Sequence, residues 1–326
     1  MWRGRFAAAL WLGAGGVWAQ VGNLTPVVGS IVDPTAFVNS AAQFASRGNY
    51  MGTLVYQRGG ESETFRMVHI NDNGVERERL IVLDGVTKEL IRDGDRTVTY
   101  LPDSKTIRVQ PVNERAFPAM SAGQVQTLLN NYVATDMGLE RVAGHIARGI
   151  MFTPRDPMRY AQQWWMEAKT GLPIRARYFN ERNDVIEQVY FTDLQIDVRV
   201  SRHHLRSVYA SKAQDWKTEI VPAPGNVTAD TGWVVRELPP GFIKVREGVR
   251  AMGVPGQRVT HLLFSDGVAT ISVFIENAGA SEPVGVTQQG AVNVYRRQVQ
   301  ESIVTVLGQT PPQTLKMIAD AVARAK

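Results

Sequence analysis

The sequence predicts an α+β fold, a long antiparallel sheet covered by two or three helices and followed by a smaller sheet that ends in a helix. Three observations carry this. Short β-prone runs succeed one another from residue 50 to 112, separated by Gly59-Gly60, Asn73-Gly74, Asp84-Gly85, Asp93-Gly94 and Pro102-Asp103, all hairpin chemistry. Residues 160–196 read as a three-strand meander turned by Lys169-Thr170-Gly171-Leu172 and Glu181-Arg182-Asn183-Asp184, with Ile174, Ala176 and Tyr178 alternating against Arg175 and Arg177. Helical periodicity is confined to a few short segments.

The elements follow in order. Residues 1–19 read as a signal peptide: Arg3 and Arg5, an apolar run from Phe6 to Ala14, and Val17-Trp18-Ala19 as the cleavage site. The run is too short to span a bilayer, and the chain has no cysteine to carry a lipid. An exported protein released as a soluble species beginning at Gln20 is therefore expected. Lacking cysteine, it also lacks disulfides and must rest on conventional cores.

A first helix opens at Asp33-Pro34, with Phe37, Ala41 and Phe44 on one face and Gly48 at its end. Strands are expected over 50–58, 64–70, 79–83, 88–92, 97–101 and 106–112. A second helix spans 121–133, with Val125, Leu128, Leu129 and Tyr132 on one face. Strands around 140–153 lead into the meander. Pro222-Ala223-Pro224-Gly225-Asn226 is linker chemistry. The expected division is 20–210, a linker over 211–229, and a second domain over 230–326. That domain has strands at 233–237, 242–249, 260–265, 268–276, 291–299 and 300–307. Thr310-Pro311-Pro312 launches its last helix, with Leu315, Ile318, Ala319 and Val322 as the buried stripe.

The formal charge is +5, and +3 without Arg3 and Arg5, too mild for a nucleic-acid binder. No metalloprotease, nucleophile-elbow, phosphate-loop or dinucleotide motif occurs. Of the five histidines only His203-His204 cluster, and adjacent side chains diverge too far for metal capture. Glu76 and Glu78 share a strand face, but Arg77 and Arg79 interleave with them as on a salt-paired edge strand. No catalytic residues, metal or cofactor are expected.

Trp164-Trp165 point to opposite faces of a strand, so one is core and the other is free for a ligand. Leu54 and Tyr56, with Phe65 and Met67, offer apolar strand faces under the first helix. Together with the tryptophans they are the candidate lipid-binding residues, for lipid A or another acylated ligand. Arg199, Arg202, His204 and Arg206 precede the linker, and Trp233, Phe242, Arg246 and Arg250 follow it. These are the candidate partner contacts, placed at a seam between the domains.

The order of several motifs over most of the chain resembles the RseB/MucB family, the periplasmic regulators of the envelope-stress sigma factor, sigma-E. They run from Val75-Glu76 to Leu83-Asp84-Gly85, through Glu89-Leu90-Ile91-Arg92-Asp93-Gly94, Arg159-Tyr160, Trp165-Met166 and Leu172-Pro173-Ile174-Arg175 to Glu187-Gln188 and Phe191. In the second domain they comprise Trp233, Leu238-Pro239-Pro240-Gly241-Phe242, Ser265-Asp266-Gly267, Ser272-Val273-Phe274-Ile275, Pro311-Pro312-Gln313-Thr314 and Ile318-Ala319. The resemblance implies a lipoprotein-carrier-like, unclosed β-barrel with helices plugging its concave side, then a small α/β domain. It further implies binding to the periplasmic region of a membrane-spanning anti-sigma factor, shielding of that region from proteolysis, and release by lipid or lipopolysaccharide. A lipid or lipoprotein carrier on the same half-barrel is the alternative, and the second domain argues against it. A homo-oligomer is compatible with the sequence.

Overall fold

The computed structural model describes residues 33, 36–39, 44, 47–111, 122–221, 230–251, 258–278 and 284–325. The predicted signal peptide, Ala41 of the first helix and the Pro222–Asn226 linker lie outside them. Residues 36–39, 44 and 47 are helical, with Phe37 N–H bonded to the Asp33 carbonyl as an opening turn requires.

The larger sheet has twelve strands. β1 (Tyr50–Arg58), β2 (Glu61–Asp72), β3 (Val75–Val82), β4 (Glu89–Asp93), β5 (Arg96–Leu101) and β6 (Thr106–Pro111) form one meander. After α1 (Ala122–Asn131), β7 (Tyr132–Val142), β8 (His145–Pro154), β9 (Ala161–Glu167), β10 (Pro173–Phe179) and β11 (Val185–Ile196) form the second. The meanders join where β11 pairs with β1, and β12 (Lys217–Ile220) adds parallel to β6. The order β12-β6-β5-β4-β3-β2-β1-β11-β10-β9-β8-β7 ends on two strands that do not pair with each other. The barrel is therefore unclosed.

Its concave face is a packed core. Leu54, Met67, Ile150, Trp164, Ile174 and Phe191 cluster with Val125 and Leu128 of α1 and Tyr132 of β7, with Phe37 and Phe44 partly buried against them.

The second sheet has the order β14-β15-β16-β19-β18-β17. Its strands are β14 (Ile243–Ala251), β15 (Arg258–Ser265), β16 (Thr270–Asn277), β17 (Gly285–Gln289), β18 (Val292–Val299) and β19 (Ser302–Gly308). α2 (Pro312–Ala321) buries Leu315, Ile318 and Ala319 in this core. A two-stranded ribbon pairs β13 (Trp233–Val235) with β20 (Val322–Arg324).

Four differences from the sequence reading have physical reasons. Pairing extends β3 to Val75, because Asn73 (φ 55°) and Gly74 (φ 89°) form a two-residue turn. β3 is interior, not an edge: Arg92 pairs with Glu76 and Glu78, and Arg79 with Glu89. β7 begins directly at Tyr132, where the β-branched and alternating Val133-Ala134-Thr135 leaves the helix. Val322 is buried as predicted but in β20, since the helix ends at Ala321.

The β7–β8 turn places Ala143 at φ 48°, a left-handed conformation that costs an alanine about 1 kcal/mol. Ala143→Gly is expected to raise stability by up to that amount in urea unfolding. An unchanged or lowered midpoint would mean the turn is unstrained.

Candidate functional site

The two sheets meet at a seam that is built from buried polar groups. On the larger domain, the turn between β8 and β9 presents Asp156, Met158, Arg159 and Tyr160. On the smaller one, the β15–β16 turn presents Asp266. Arg159 and Asp266 both have fully buried side chains, with Nε to Oδ2 at 2.6 Å. Arg159 also donates to Asp156 and to the Pro240 carbonyl, and its guanidinium lies 5.0 Å from the Phe242 ring centroid. Asp266 Oδ1 accepts the Val268 and Ala269 N–H groups at 3.0 and 2.7 Å. Both ions are thus extensively hydrogen-bonded, the condition under which a buried pair is tolerated. Tyr132 lies near them; burial, then the negative charge of Asp266, pushes its hydroxyl pKa well above the usual range.

A second polar contact lies beside Arg58. Glu187 of β11 accepts the Ala291 N–H at 3.1 Å and Gln309 Nε2 at 3.4 Å, both from the smaller domain. Burial raises its pKa, partly offset by the hydrogen bonds from Ala291 and Tyr56 and by the nearby Arg58. Around these, Asn293 Nδ2 donates to the Tyr160 hydroxyl at 2.7 Å, and Thr314 Oγ1 donates to the Met158 carbonyl at 3.1 Å. Two left-handed glycines of the smaller domain sit close against side chains of the larger one. A Cβ on Gly267 would lie 2.8 Å from Thr127 Cβ, and one on Gly290 would lie 1.9 Å from Arg58 Cγ. The seam is a preformed joint.

The structure does not gather the predicted partner residues into one site. Phe242 is at the seam, but it is buried beneath Arg159. Trp233 is buried in the smaller core, with the Arg324 guanidinium 4.1 Å from its ring. Arg246 lies on β14, and the side chain of Arg250 is outside the described residues. Arg199, Arg202, His204 and Arg206 are exposed around a 3-10 turn. Arg202 pairs with Asp72, and the His204 carbonyl accepts from Arg79. Asp72 ends β2, whereas Glu61 begins it near the seam, so the basic run and the joint are separated by about 36 Å of strand.

Of the predicted lipid-facing set, Leu54 and Met67 are fully buried, while Tyr56 and Phe65 pack partly buried against the same core. Trp164 and Trp165 are both buried, at 3% and 4% exposure, where one was expected to be free. Trp164 packs edge-on against Phe152 in the concave core. Trp165, on the opposite face, is covered by the guanidiniums of Arg175 and Arg177. Sequence reasoning missed the chemical roles of Arg159, Glu187 and Asp266.

Three variants test the joint. Asp266→Ala leaves buried Arg159 with only the partly exposed Asp156 as a carboxylate and is expected to cost about 3 kcal/mol, with Arg159→Met/Asp266→Leu costing markedly less, both read from chemical denaturation. Equal losses would mean the pair is held for packing alone. For Glu187 the raised pKa favours the folded state below the usual value of 4.5 and withdraws that contribution as pH climbs through the folded value. The Tm of Glu187→Gln should therefore rise relative to wild type between pH 4 and 7, and a constant difference would contradict the assignment.

Comparison with known proteins follows the same two-domain division. The family model for the MucB/RseB N-terminal domain matches residues 33–209, and that for the MucB/RseB C-terminal domain matches residues 227–323. The sigma factor AlgU regulatory protein MucB of Pseudomonas aeruginosa is 29% identical over 293 residues, covering 88% of this chain and 90% of MucB. The sigma-E factor regulatory protein RseB of Haemophilus influenzae is 26% identical over 278 residues, covering 84% of this chain and 86% of RseB. The solved MucA/MucB complex of Pseudomonas aeruginosa superposes with a TM-score of 0.73 at 27% identity, over 90% of this chain and 100% of the matched chain.

Proposed function

The chain belongs to the MucB/RseB family, and on that premise we propose that it is a periplasmic, non-enzymatic regulator that binds the periplasmic part of a membrane-spanning anti-sigma factor. The observation that carries this reading is the match of both family domains in order along one chain. Relatives named as sigma-factor regulators, and one solved with MucA, support the class of partner. The joint supports it physically, since two domains fixed by buried polar contacts present one preformed surface at low ordering cost.

In this reading, holding the anti-sigma segment keeps it from proteolysis, and an acylated lipid such as lipid A releases it. Phe37, Phe44, Tyr56 and Phe65, all packed against the rim of the same core, support the lipid step. These side chains are only partly buried against the core, so displacement of the helical segment that carries Phe37 and Phe44 uncovers an apolar face.

Calorimetry of the full mature chain with the periplasmic segment of its anti-sigma factor tests the function. A Kd in the micromolar range or tighter supports it, and no binding at millimolar segment contradicts it. The exposed basic run around Arg202 and Arg206 is suited to steering an acidic segment. Arg202→Glu/Arg206→Glu is expected to slow association about three- to tenfold at low salt, with the difference shrinking at ~0.5 M salt. Equal association rates at low salt would remove the run from the encounter.

A further inference from the structure

The outer face of the β8–β10 meander carries a pair of cations on one aromatic ring. Register places Gly149, Trp165, Arg175 and Tyr190 in one row across β8, β9, β10 and β11, with Arg177 two residues along the same face. The Arg175 and Arg177 guanidiniums lie 5.2 and 5.3 Å from the centroid of the Trp165 ring. Gly149 leaves the space that the indole uses: a Cβ there would meet Trp165 Nε1 and Met137 Cβ, each at 3.2 Å. Trp165 is only 4% exposed although it stands on the outer face.

Both cations are held in place. Arg175 Nη1 donates to Glu140 Oε1 at 2.9 Å. Arg177 Nε donates to Gln188 Oε1 at 3.1 Å, and Gln188 is itself bonded to Gln57. Among the described residues the only carboxylate paired with either guanidinium is Glu140, and the terminal nitrogens of Arg177 have no protein acceptor. Burial, then the like charge of Arg175, lowers the Arg177 pKa, with Glu140 and Tyr190 opposing. The patch therefore carries more positive than negative charge on a rigid aromatic base. Like charges side by side are relieved by a bound anion, and a guanidinium fork fits a carboxylate bidentately.

The rim selects among anions. Met137 is 47% exposed on β7 beside Gly149, and Tyr190 is half-buried on the other side. A free inorganic anion would use the guanidiniums alone. A polypeptide segment with an acidic side chain flanked by apolar ones would use the rim as well, and Arg, Trp and Tyr are the residues on which such contacts concentrate.

We propose that Arg175, Arg177 and Trp165 form a carboxylate-binding subsite, and that it receives an acidic side chain of the bound anti-sigma segment. This rests on the function proposed above, and the test separates the two. Calorimetry of the full mature chain with that segment should show Arg177→Glu weakening affinity by at least about tenfold. Arg177→Lys, which keeps the charge without the fork, should fall between. Arg108→Glu on β6, an exposed charge away from the patch, should stay within about twofold. Arg177→Glu binding like Arg108→Glu overturns the subsite while leaving the function standing.

A second arm does not need the partner. A short Glu-rich peptide is titrated into the chain labelled with 15N-arginine, and the Arg177 Nε–Hε resonance is identified by its loss in Arg177→Lys. Saturable shifts of that resonance, stronger than those given by inorganic phosphate at equal charge, support the subsite even if the anti-sigma segment fails to bind. No shift, or the same shift with phosphate, contradicts it.

Discussion

The Arg159–Asp266 ion pair is the interaction on which the arrangement of this molecule depends. Its members stand 107 positions apart, on turns of two different sheets, and neither side chain reaches solvent. Removing two charges from water costs several kcal/mol per ion, so such a pair persists only when the remaining hydrogen-bonding groups are satisfied. Here Asp156, the Pro240 carbonyl and two backbone N–H groups of the β15–β16 turn do this. The geometry tolerates little displacement, because every one of those partners is fixed to a turn. An apolar joint would hold the domains together over a range of angles; this one specifies a single angle.

That constraint connects the two cores to the binding reading. The larger sheet spends its concave face on its own helices, and its edges β7 and β12 stay apart. β7 nonetheless carries Asp136, Glu140 and Arg141 along a bulged edge, devices that discourage pairing with other strands. Glu187 secures the joint at a second point, next to Arg58 and away from Arg159. Two separated polar contacts resist hinge motion better than one, and a partner that spans both domains then meets a surface already in register.

Much of the architecture was legible in the chain. Glycine turns after hydrophobic runs located most hairpins, and the stripe of Leu315, Ile318 and Ala319 located the last helix. Other elements had no local signal. The β7–β8 turn uses Ala143 in a conformation that glycine or asparagine would have announced. β12 pairs parallel with β6, a contact that no spacing in the 211–229 segment foretells. β17 sits among Gly285, Val286 and Thr287, too short a run to stand out beside its neighbours. The joint was invisible for a deeper reason. Nothing within ten residues of Arg159 distinguishes it from a surface arginine, and its partner is found only by folding both domains. The same holds for Trp165: alternation correctly put it on the face opposite Trp164, but its covering by Arg175 and Arg177 arises from side chains on the next strand.

Buried polar contacts fix one arrangement of the two domains. Absence of native cysteine makes site-specific labelling clean. Spin labels on Lys169→Cys, at the β9–β10 turn, and Lys316→Cys, on the exposed face of α2, report the inter-domain distance by pulsed electron resonance. A single narrow distribution in the otherwise native chain, broadened in the Asp266→Ala background with both sheets still folded, is the predicted result. A distribution that is broad from the start, or that stays equally narrow without Asp266, would contradict the account.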